Sequence, residues 1–293
     1  MITIKTGKLE TPIKTVVYGD PGVGKTTFAA NAPQPLFLDL EGSTQNQDVP
    51  RVWIDEKPLT TFAQVLDILP LIKGTSAKTL AIDTFDALEL MAQRHVCDLG
   101  GKHSIEDFGF GKGYAQTAEL CRGVLKQLDE IARTGVAIVI VAHSKIVTFN
   151  NPEGENFDRY EFKLHKKTGE ALLEWADNVL FAHRETTVIE SNGKAKAGGS
   201  YARYLHAVGS PAYVAKNRYN LPDRMSLDWQ TYADACTNGA ASVEELVSRA
   251  TLEVEKLPQE LRAKASEALN KITSDATKLS RFIDYCKSKG SEK

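Results

Sequence analysis

The chain has 293 residues, enough for one large α/β domain with a small appendage. Hydrophobic residues make up 42% and charged residues 25%, ordinary for a globular protein, and no apolar run is long enough to span a membrane as a helix. The net charge of −2 shows no whole-chain basic excess, so a nucleic-acid contact has to come from a local patch. Cys97, Cys121, Cys236 and Cys286 are scattered and form no C-x-x-C pair, which indicates neither zinc nor a redox dithiol. Residues 1–5 lack the apolar core of a signal peptide, and a cytoplasmic location is expected.

Taken in chain order, strand-like runs alternate with helix-like runs for about 185 residues. Residues 13–18 form the first strand-like run, and Gly19-Asp20-Pro21-Gly22-Val23-Gly24-Lys25-Thr26 follows it. This matches G-x-x-x-x-G-K-[ST] in full, with helix-compatible residues from Thr27 onward. Glycines let backbone N–H groups turn inward around phosphate oxygens, and a helix N-terminus adds partial positive charge there. Residues Gly19 to Thr27 are therefore expected to bind ATP. Lys25 reaches the β- and γ-phosphates, and the Thr26 hydroxyl ligates Mg2+.

A second strand-like run, residues 36–40, leads into Glu41. A carboxylate at the C-terminal edge of a parallel sheet lies where ligands bind, and there it can orient or deprotonate water. The alternative is an ordinary loop acid. Thr61 and Gln64 make a capping box before a helix with Phe62, Val65, Leu66 and Leu69 on one face. The third strand, residues 79–83, ends in Asp83, which suits magnesium held through water. Capping of the next helix is a second role open to Asp83. That helix runs over 86–99 and stops at Gly100-Gly101.

A further helix is expected over 114–134, then a fourth strand over 136–142, apolar throughout, and a weaker fifth over 178–183. Continuous apolar runs fit strands buried on both faces, and their alternation with helices implies βαβ units and a mostly parallel sheet. His143 follows the fourth strand, where a polar group can touch the γ-phosphate; simple packing is the other reading. Ser191-Asn192-Gly193 and Gly198-Gly199-Ser200 read as turns. Residues 201–208 and 212–216 read as short antiparallel additions at the sheet edge. From Ser242, paired with Glu245 as a capping box, the pattern is helical and is broken at Pro258. The expected division is an ATPase core over 1–239 and a helical appendage over 240–293.

Two loops mix aromatic and basic residues, a combination suited to stacking single-stranded bases and meeting their phosphates. One contains Phe108, Phe110 and Lys112. The other contains Arg159, Tyr160, Lys163, Lys166 and Lys167, diluted by Glu153, Glu155, Asp158 and Glu161. Loop packing and subunit contact are the alternatives.

The order P-loop, strand with Glu41, strand with Asp83, strand with His143 resembles the RecA-like ATPase core. That resemblance implies a catalytic base at Glu41 and a phosphate sensor at His143, where RecA-like proteins usually carry Gln. More closely, the P-loop, residues 108–114 and 142–145, and the run from Asp158 to Asp177 resemble the bacteriophage AAA-type nucleotide-binding family. That family includes the short RecA-like single-strand annealing proteins. The resemblance covers residues 10–225 and implies an oligomeric phage recombination protein that binds single-stranded DNA and promotes annealing or strand exchange. A single-strand-binding protein is a possible further partner. Lys216-Asn217-Arg218 is similar to the Lys-x-Arg element of RecA-like hexameric helicases. It implies that Lys216 and Arg218 reach a neighbour's ATP site in a ring or filament. Two other readings stay open: a helicase or helicase loader, and a nucleotide-gated binding module with little turnover.

Overall fold

A computed structural model describes residue 6 and residues 11–191, 194–238, 243–274 and 276–290. In chain order the elements are β1 (Lys14–Gly19), α1 (Lys25–Ala30), β2 (Pro35–Asp39), β3 (Trp53–Ile54), β4 (Lys57–Pro58), α2 (Phe62–Ile72), β5 (Thr79–Asp83) and α3 (Phe85–Gly100). A short 3-10 turn, Ile105–Phe108, precedes α4 (Lys112–Ala132), β6 (Ala137–Phe149), β7 (Phe157–Phe162), α5 (Lys166–Trp175), β8 (Asn178–Ser191) and β9 (Lys194–His206). The last elements are β10 (Arg224–Ser226), α6 (Trp229–Asn238), α7 (Val243–Lys256), α8 (Gln259–Asn270) and α9 (Ala276–Gly290).

The chain divides into two compact units, residues 1–183 with 209–216, and residues 184–208 with 217–293. The expected division at residue 240, the cap residue Ser242, the turn residues Asn192 and Gly193, and residues 1–5 lie outside the described residues.

In the first unit five strands run parallel in the order β8-β1-β6-β5-β2. Counted along the chain as strands one to five, this is the order 5-1-4-3-2. The P-loop strand and the acid-bearing strand are therefore separated by the strand that leads to His143. Burial on both faces explains the unbroken apolar runs: β5 is buried at every position, as are Ile138 to Ala142 of β6. Val16, Tyr18, Leu80, Ile82, Ile138 and Ile140 point to one face and pack with the apolar stripes of α2 to α5. With antiparallel strands added at its edges, this is a mixed α/β, RecA-like P-loop NTPase fold.

β6 is longer than its apolar run. Past His143 it pairs antiparallel with β7, from Ser144 opposite Phe162 to Phe149 opposite Phe157, and makes a projecting hairpin. Alternation of small, polar and apolar residues over 144–149 suits a ribbon open on one side rather than a buried strand. Residues 212–216, expected as a strand, make only isolated bridges, Tyr213 with Tyr160 and Lys216 with Val179. Tyr18 pins this segment: its hydroxyl donates to Val214 O at 2.6 Å and accepts the Val214 N–H at 3.0 Å.

In the second unit β9 and β10 pair antiparallel, with His206 opposite Arg224. Helices α7, α8 and α9 close around Leu246, Ala250, Val254, Leu257, Leu269, Leu279 and Ile283. Pro258 stands at the start of α8 rather than inside a helix. No helix among the described residues is long and apolar enough to cross a membrane.

Candidate nucleotide site

Register brings the site together. Gly19 pairs with His143, Asp83 pairs with Val141, and Asp39 pairs with Asp83. The P-loop, Glu41, Asp83 and His143 therefore share the C-terminal edge of adjacent strands, the edge where α/β sheets bind ligands.

Gly19 has to be glycine because β8 passes close by: a Cβ there would lie 2.1 Å from Ala182 O. Gly24 caps α1 in the left-handed region, φ 114°, which a side chain would strain. Lys25 is only 5% exposed, and its ammonium donates to Gly19 O and Asp20 O, both at 2.9 Å. Burial pushes its pKa down, while Asp83, Asp86, Glu41 and Asp20 hold it up. The lysine is therefore folded over the loop it serves, on bonds that phosphate oxygens can replace.

Asp83 is fully buried. Burial raises its carboxyl, opposed by hydrogen bonds from Thr26 and Ser43 and reinforced by the nearby Asp39 and Glu41 charges. Thr26 Oγ1 donates to Asp83 Oδ2 at 2.7 Å, and Ser43 Oγ donates to the same oxygen at 2.8 Å. The other oxygen, Oδ1, is buried with no hydrogen-bond partner among the described residues. A buried charged acceptor without a partner is costly. A hard cation and its water shell would satisfy it, so Thr26 and Asp83 fit magnesium. Helix capping falls to Thr84 instead, whose Oγ1 accepts the Ala87 N–H at 3.2 Å.

Glu41 sits on a braced loop. The Asp39 carboxylate accepts the N–H groups of Gly42, Ser43 and Thr44 and the Thr44 hydroxyl. Those bonds, Thr44 chief among them, outweigh burial and bring Asp39 below the ordinary carboxylate range. Arg51 donates to Thr44 and to the Gln47 carbonyl from the far side. The Glu41 side chain stays 43% exposed, and its Oε2 lies 3.9 Å from His143 Nδ1.

Lys216 does not join this edge. Its backbone bridges Val179, three residues before Ala182, the partner of Gly19. At a strand rise of about 3.3 Å per residue, it lies roughly 10 Å back from the P-loop. Its ammonium donates to Leu173 O and Glu174 O, carbonyls in the last turn of α5. Arg218 belongs to the second unit and is exposed on a bend.

The aromatic-basic residues divide into two sets. Phe108 is half-buried with its ring against Gly100, Arg159 pairs with Glu161 and covers the Phe149 ring, and Tyr160 packs on Phe181. Phe110, Lys112, Lys163, Lys166 and Lys167 are exposed, Phe110 completely. The exposed set adjoins: the rings of Tyr114 in α4 and His165 at the start of α5 stack at 4.5 Å, which places the two helix N-termini side by side. Glu89 of α3 is buried beneath, and its carboxylate accepts the His165 N–H at 3.0 Å.

Sequence reading did not single out Asp39, Ser43, Asp86 or Glu89. For Asp86 a signal existed, because a carboxylate three residues past a strand-ending Asp lies on the first turn of the helix, at the same sheet edge.

A family described as an AAA domain matches residues 11–219, well over half of the chain. The chain belongs to this AAA-domain family. The match ends with the loop that carries Lys216 and Arg218 and leaves the C-terminal helices outside it. Among solved structures the chain is similar to a KaiC-like protein of the archaeon Pyrococcus horikoshii OT3, at 16% identity and TM-score 0.36, over 66% of this chain and 78% of that one. No curated protein matches. Residues 11–219 are thus an AAA-type nucleotide-binding domain.

Proposed function

We propose that the protein is a magnesium-dependent ATPase that works as an oligomer on single-stranded DNA, in annealing or strand exchange during phage recombination. One observation supports the hydrolytic part above all others. The exposed Glu41 carboxylate is held at the mouth of a P-loop whose metal-side acid, Asp83, keeps one buried oxygen unpaired.

The residues divide the work. Backbone N–H groups from Gly19 to Thr27 and the Lys25 ammonium hold the phosphates. Thr26 and Asp83 hold magnesium, which when bound neutralises charge on the β- and γ-phosphates. Glu41 orients a water in line with the γ-phosphate and takes its proton. Lys216 and Arg218 act on a neighbour's nucleotide, where a positioned arginine contributes about 10³–10⁵ in rate.

Support for DNA comes from connectivity. β6 passes from His143 directly into the β6–β7 hairpin, and the Lys163 N–H closes that hairpin on His143 O at 2.8 Å. α5 follows at once with Lys166 and Lys167, beside Lys112 and Phe110 at the start of α4. Two helix N-termini and four exposed lysines suit a phosphate backbone, and Phe110 offers a stacking ring.

Filter retention of a labelled oligonucleotide at two salt concentrations, with and without ATP, tests this reading. Retention should fall with salt, and Phe110→Ala should weaken binding by about 5- to 100-fold, the effect of losing one base stack. Absence of retention at low salt in every condition rules out the DNA partner.

A further inference from the structure

We propose that Ser43 is a positioning residue for magnesium: its hydroxyl holds the Asp83 carboxylate for the cation from the loop that carries Glu41. The inference rests on the magnesium-dependent ATP-binding reading above.

Two hydroxyls converge on one carboxylate oxygen. Thr26 Oγ1 reaches Asp83 Oδ2 from the P-loop at 2.7 Å, and Ser43 Oγ reaches it from the loop after β2 at 2.8 Å. The carboxylate is fully buried, and among the described residues Oδ1 has no donor. Pinned twice at Oδ2, the carboxylate keeps Oδ1 as the oxygen left for the cation and its water shell. A hydroxyl suits this place better than an amide or an ammonium. It gives its hydrogen to the carboxylate and keeps lone pairs that can face a cation or its water. An amide N–H has no lone pair to offer, and an ammonium repels the metal.

Glu41 is bracketed by the same contact. Leu40 N–H donates to Asp83 O at 2.7 Å and Ser43 Oγ donates to Asp83 Oδ2, so Glu41 lies between two bonds to one residue. Asp39 accepts the N–H groups of Gly42, Ser43 and Thr44 and sets the path of the loop without the Ser43 hydroxyl. That hydroxyl is thus surplus to the fold of the loop. Ser43 is itself exposed, which places the contact at the ligand-binding edge of the sheet rather than in the core.

Ser43→Ala removes the hydroxyl and leaves the Asp39 bonds. Ser43→Thr keeps the hydroxyl, and the exposed position has room for the added methyl. The measurement is equilibrium binding of a fluorescent, non-hydrolysable ATP analogue to the full-length protein, titrated with magnesium chloride. With metal chelated, wild type and both variants should bind the analogue alike. As magnesium is added, Ser43→Ala should need about 10- to 100-fold more of the ion than wild type for half of the gain in affinity, the range for losing a group that orients a metal ligand. Ser43→Thr should follow wild type. At saturating magnesium, kcat of Ser43→Ala should stay about 10-fold low with KM nearly unchanged, because Glu41 has lost one of its two ties to Asp83. A loop brace alone would lower kcat without moving the magnesium midpoint. A wild-type midpoint in Ser43→Ala therefore overturns the proposal, as does a threonine variant that behaves as alanine does. Wild-type binding that gains nothing from magnesium overturns the magnesium reading itself, and failure of wild type to bind the analogue overturns the ATP-binding reading.

Discussion

Glu41→Gln is expected to bind ATP as wild type does and to hydrolyse it about 10²–10⁴-fold more slowly, the range for removing a positioned general base. Glutamine keeps the length and shape of the side chain but cannot take a proton from water. The effect should be confined to turnover because the loop is braced independently of Glu41. Asp39 gathers the N–H groups of Gly42, Ser43 and Thr44, Arg51 holds the loop from the other side, and Ser43 ties it to Asp83. None of these bonds uses the Glu41 carboxylate. Single-turnover phosphate release, beside equilibrium binding of a fluorescent ATP analogue, separates the two quantities. A variant that hydrolyses at the wild-type rate would remove Glu41 from the chemistry.

Lys25→Ala should act one step earlier and weaken ATP binding itself, by about 100-fold or more. Two charge-assisted bonds to phosphate oxygens are lost, each about 1.5–3 kcal/mol. The same ammonium now spans Gly19 O and Asp20 O in a 5%-exposed setting, so nucleotide exchanges existing bonds rather than recruiting a solvated side chain. Circular dichroism should be unchanged, because the five-stranded core of the first unit does not depend on this side chain. Undiminished binding of the fluorescent analogue by Lys25→Ala would place nucleotide elsewhere.

The parts of the fold and site that could be read from sequence are those where one local rule dominates. The P-loop spacing is tied to phosphate geometry, and buried parallel strands leave unbroken apolar runs such as residues 79–83 and 136–142. Glu41, Asp83 and His143 could be placed because each directly follows or ends such a run. What could not be read depends on contacts between distant segments. Asp86 meets His143 across 57 residues, and Ser43 meets Asp83 across 40. Arg159 and Tyr160 have the composition of a nucleic-acid loop, but the folded chain engages them with Glu161, Phe149 and Phe181. Lys163, Lys166 and Lys167 have the same composition and are exposed. Period and charge do not distinguish these two fates; tertiary contacts do.

The central claim is hydrolysis at the edge where β1, β2, β5 and β6 bring Lys25, Glu41, Asp83 and His143 together. Its most direct test is steady-state phosphate release by purified wild-type protein at saturating ATP, with magnesium and with the metal chelated. The arrangement of Thr26 with the half-satisfied Asp83 carboxylate predicts steady release with magnesium and none above background after chelation. Release unaffected by chelation, or no release with magnesium in the presence or absence of single-stranded DNA, would contradict it.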